Sequence, residues 1–209
     1  YLETNTYSKS NINNSDFDSI DSLIFVGIMV QFKLENPDNP LTSGNGHFLS
    51  LSHEHYNRFY TDTSQNRCDG FLVDRPPHNK NYFKSQLDAA GNYYKNISNN
   101  LITYSSHMLT NSNDNGYYTV EKEMEYYAKS DSRLAELFSE ALALAKIDIE
   151  ETILTLNNDK IIFVVFHAGL SQDFSYPTLD PTSYDLKSAY IDEEMMQGVV
   201  PTVINNIPI

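Results

Sequence analysis

The sequence predicts an α/β fold, in which a layered, mostly parallel sheet carries flanking helices. Three segments are typical of strands, two of them continuous apolar runs, and two stretches of helical periodicity stand between them. Strands that alternate with helices favour parallel pairing, because each helix returns the chain to the same end of the sheet. A chain of 209 residues suffices for one such domain. We therefore predict a flexible leader or arm over residues 1–21 and a single domain over residues 22–209.

The predicted strands differ in how apolar they are, and residues 161–166 form the most apolar one. Residues 23–32 and 161–166 are continuous runs rich in Ile, Val and Phe, which favour strands buried on both faces. Residues 101–109 fit a further strand, and the Asn-, Asp- and Gly-rich residues 111–116 close it. Residues 199–209 form another β-rich stretch.

Two helices are predicted from the spacing of apolar side chains. Over residues 79–98 these side chains recur every three or four positions, which is the period of one helical face. The second helix has Asp131 as its predicted N-cap and extends to about Lys146. Residues 117–128 are ambiguous, and a strand end that runs into a short helix satisfies their pattern.

The amino-acid composition limits the classes of molecule that this chain is expected to bind. Acidic residues outnumber basic ones by 28 to 14, and the net charge of −14 argues against a nucleic-acid partner, which requires clustered Lys and Arg. The same excess suits calcium binding through carboxylates. No apolar run approaches the length of a membrane span. The abundance of Asn and Tyr favours an extracellular protein, and Cys68, as the only cysteine, has no partner for a disulfide within the chain.

Familiar catalytic motifs do not fit the sequence. His53 and His55 flank Glu54, but the second histidine of a His-Glu-x-x-His zinc helix would stand at position 57, which is Asn57. Residues 111–116 resemble the start of a calcium-binding loop, yet the position of its bidentate glutamate is Lys122. We therefore name no catalytic residue.

The loop after the last predicted strand carries the candidate site residues. Functional loops gather at the carboxyl ends of parallel strands, and His167 stands at such an end. Gly169 allows a sharp backbone turn. His167, Gly169 and Gln172 are candidates for contact with substrate or for ordering this loop, and the sequence leaves both roles open. Asp173 and Asp180 are the candidate calcium ligands.

Several segments resemble one family of secreted enzymes. They are IMVQF (28–32), FLVDRPPHNKNYFKSQLDAAGNYYKNISN (71–99), GYYTVEKEMEYYAKSDSRLAELFSEALALA (116–145) and FVVFHAGLSQDF (163–174), followed by short matches at 179–182 and 188–190. Together they resemble the N-terminal half of the catalytic domain of zinc metallopeptidases related to immune inhibitor A. The order of the segments makes the resemblance more specific than any one of them.

The resemblance implies a zincin-like N-terminal subdomain in an extracellular protein whose signal peptide has been removed. Zinc is implied by the family, but its ligands would lie on a His-Glu-x-x-His helix that this sequence does not contain. The chain is therefore expected to be inactive as given, to need the missing C-terminal catalytic half, and to act on a peptide substrate only when complete. Residues 199–209 would fall near the edge strand of the sheet.

A second interpretation belongs to another class of protein. A zincin-like scaffold without its catalytic half would be a non-enzymatic extracellular structural or assembly subunit. Its partners would be neighbouring copies of the same chain, joined by β-strand addition at an exposed sheet edge.

Overall fold

The computed structural model describes most of the predicted domain. The described residues of the 209-residue chain are 21–36, 38–50, 76–111, 116–153, 160–174, 182–204 and 207–208. The predicted leader lies outside them except for Asp21, where the first strand begins. Cys68 and the histidines at 53 and 55 also lie outside the described residues.

Strands and helices alternate along the chain as the sequence predicts. The elements are β1 (Asp21–Gln31), α1 (Lys80–Ile97), β2 (Ile102–Met108), β3 (Tyr118–Thr119), α2 (Met124–Ala128), α3 (Asp131–Leu144), α4 (Lys146–Ile153), β4 (Lys160–His167), a short 3₁₀ helix (Gln172–Phe174), β5 (Val203–Ile204) and β6 (Ile207–Pro208).

The main sheet is built around β1, and each of its pairings is parallel. β2 pairs with the first half of β1, β3 pairs with its last two residues, and β4 pairs along Leu23 to Val30. The Gln31 carbonyl accepts from Val120 N–H, whereas the Val30 carbonyl accepts from Ala168 N–H. Because successive residues of a strand pair at opposite edges, β2 and β3 share one edge of β1 and β4 takes the other. The predicted α/β class with a mostly parallel sheet is confirmed.

β1 is buried on both faces, as its continuous apolar run predicts. Ile24, Val26 and Ile28 pack among α2, α3 and α4, whereas Phe25 and Met29 face α1 and the end of β2. All five side chains are at most 6% exposed. The sheet therefore lies between two helical layers, with one part of the core on each face.

Two expectations about the ends of α3 differ from the structure. Ser130, not Asp131, is the N-cap of α3: its backbone is extended and its Oγ accepts from Arg133 N–H at 3.3 Å. The helix ends at Leu144, and a separate helix, α4, follows at once. β5 and β6 pair with each other in a separate two-stranded antiparallel sheet. Thr202 anchors this segment to α3, since its hydroxyl donates to the Ser139 carbonyl at 2.8 Å.

Candidate functional site

His167 is the last residue of β4 and lies opposite Val30 of β1. Its Nδ1 atom is 2.9 Å from the Ala168 carbonyl, a distance that fits an Nδ1–H donor, and its ring centroid lies 6.3 Å from that of Phe32. Protein atoms surround most of the His167 ring, although the residue keeps some exposure. The loss of solvent around the ring lowers the pKa of His167. The Ala168 carbonyl and the charge of Asp185 act in the opposite direction. The imidazole is therefore held neutral near pH 7.

Gly169 makes the turn that follows β4. Its φ of +89° lies in the left-handed region, which side-chain-bearing residues rarely adopt. A Cβ at this position would also meet the end of Met124 at less than 3.0 Å and Ser43 Oγ at 3.3 Å. The next residue, Leu170, donates its N–H to Ser43 Oγ at 2.8 Å. The turn thus requires glycine for its conformation and for its close packing.

Gln172 and Asp173 attach the same loop to the segment 182–188. Gln172 N–H donates to the Leu186 carbonyl at 2.8 Å, and its side-chain Nε2 donates to the Ser183 carbonyl at 3.1 Å. Asp173 Oδ2 accepts from Ser188 N–H at 2.9 Å and from the Ser171 hydroxyl at 2.8 Å. The Ser188 side chain, the Ser188 N–H and the Ser171 hydroxyl all stabilise the ionised form and lower the pKa of Asp173. Both predicted residues therefore contribute to loop order.

Two buried carboxylates that the sequence did not single out lie beside this loop. Asp185, 1% exposed, accepts from Ser43 N–H at 2.7 Å and from the Thr182 hydroxyl at 2.6 Å. Glu35, 4% exposed, accepts from the Thr42 hydroxyl at 2.6 Å and from Met124 N–H. Each acid joins segments distant in sequence, so no local pattern could have identified it.

Three segments of the chain meet at this end of the sheet: residues 32–48, 167–174 and 182–188, which we call the carboxyl-end cluster. Tyr184 N–H donates to the Leu41 carbonyl at 2.8 Å, and Phe32 N–H donates to the Gly46 carbonyl at 2.8 Å. The predicted residues His167, Gly169 and Gln172 are thus brought together with two buried acids. Their polar groups mainly bind one another or nearby backbone, an arrangement that suits the ordering of loops.

A metal site is not formed by the residues that the structure describes. Among them there is no group of three or more His, Cys, Asp or Glu side chains that could hold a metal ion. They therefore do not fit the tetrahedral donor set of a zinc centre. Asp173 belongs to the cluster, while Asp180, its predicted companion for calcium, lies outside the described residues.

A second polar cluster joins α1 to β2, and the sequence did not predict it. Lys84 Nζ lies 2.9 Å from Asp88 Oδ1 and 3.0 Å from Ser106 Oγ, and the Ser106 hydroxyl also donates to Asp88. The hydrogen bond from Ser106, followed by that from Lys84, lowers the pKa of Asp88. The cluster ties a helix to the sheet.

Comparisons with protein-family models, curated proteins and solved structures gave no match to the chain. Within the described part of the chain, no helix is both long and apolar enough to span a membrane.

Proposed function

We propose that this chain forms the N-terminal scaffold of a zincin-like catalytic domain in a secreted zinc metallopeptidase related to immune inhibitor A, and that it is not catalytic by itself. The carrying observation is that the segments that resemble the family pack around one strand. Residues 28–32 include the end of β1, residues 163–167 belong to β4, and residues 116–145 include β3, α2 and α3. Val30 pairs with both Tyr118 and His167.

The resemblance involves core residues as well as surface residues, which supports a shared fold. From the segment 116–145, the side chains of Tyr118, Met124, Tyr127, Leu134 and Leu142 belong to the same buried cluster as Val30. A core requires several side chains of matching volume from distant segments. Agreement among several such segments therefore favours common architecture more strongly than one surface motif would.

In this proposal the chain supplies a sheet and an ordered carboxyl-end cluster, while the metal ligands and the general base belong to a part of the domain that this sequence lacks. Zinc would supply Lewis-acid chemistry in the complete domain. The residues of this chain would hold its loops in place. Asp185 would do so by accepting hydrogen bonds from Ser43 and Thr182, and Gln172 by donating one to Ser183.

Peptide hydrolysis tests the proposal. Protein purified from its native source should cleave an unstructured peptide such as casein fragments, and a zinc chelator should abolish the activity. The recombinant 209-residue chain should be folded by circular dichroism but inactive, with or without added zinc. Hydrolysis by the 209-residue chain alone would contradict the proposal, as would native material that remains inactive when zinc is supplied.

A further inference from the structure

We draw no further inference here: the strongest candidate, the open groove between α3 and residues 198–203, is lined in part by the apolar side chains of Val199, Val200 and Val203, and nothing in the structure shows what covers it.

Discussion

Gly169, in the turn after β4, lies directly against Met124, the first residue of α2: a Cβ at position 169 would come within 3.0 Å of the end of the methionine side chain. Met124 is fully buried, and its N–H donates to the buried carboxylate of Glu35. The carboxyl-end cluster therefore packs against α2 so closely that there is no room for a side chain at position 169.

Gly169→Ala should lower the free energy of unfolding by about 2–4 kcal/mol, because it combines an unfavourable left-handed backbone with overpacking against Met124. Gly44→Ala is the matched control, since Gly44 has a φ of +73° but no atom within 4 Å of the added Cβ. That variant should lose only about 1 kcal/mol. Urea denaturation measures both, and equal losses would show that contact with Met124 has no energetic consequence.

Gly91→Ala should destabilise the protein although alanine favours helices by about 1 kcal/mol over glycine. Gly91 is in α1, where the added Cβ would lie within 3.0 Å of the Tyr104 ring on β2. The ring would have to move, and overpacking of this kind costs about 1–3 kcal/mol. In a Tyr104→Ala background the same substitution should become stabilising. A double-mutant cycle by urea denaturation checks this, and a coupling energy near zero would refute the close approach.

Stability should decrease as the pH falls below the unfolded histidine pKa of about 6.5, because burial lowers the pKa of His167 in the folded state. Below that value the unfolded chain binds more protons than the native chain, so acid favours unfolding. His167→Asn should lose less stability than the wild type between pH 7.5 and 5.5. Thermal melts across this range measure the difference, and identical slopes for the two proteins would exclude a contribution from His167.

Asp185→Asn should destabilise the carboxyl-end cluster. The buried carboxylate accepts from both Ser43 and Thr182, and an amide NH₂ would face one of these donors. An unsatisfied buried group costs about 1–3 kcal/mol. Asp38→Asn, at an exposed position, should stay within about 0.5 kcal/mol of the wild type. If urea denaturation gave both variants the same small loss, the Asp185 hydrogen bonds would have little importance for folding.

The sequence predicts those elements whose signal is local. β1, β4 and α1 are confirmed because continuous apolar runs and helical spacing reflect burial directly. α4 gave too little signal, since Ile149 is its only fully buried side chain among those described. Residues 199–209 were predicted as a β-rich stretch, but no local pattern indicates the hydrogen bonds that join Val200 and Thr202 to Ser139 on α3.

The sequence predicted where the candidate site lies, but not which residues contact one another there. The end of β4 indicated His167, Gly169 and Gln172, and the structure brings all three into the carboxyl-end cluster. The sequence did not indicate Asp185, because this residue orders the cluster by accepting a hydrogen bond from Ser43, which is 142 positions away in the sequence. Such contacts arise only when the whole chain has folded.

The mass and metal content of the protein from its native source test the proposed function most directly. We predict an intact mass well above 23.9 kDa, with about one zinc ion per chain that a chelator removes. A native mass near 23.9 kDa without stoichiometric zinc would contradict the proposal that this chain is the scaffold half of a metallopeptidase.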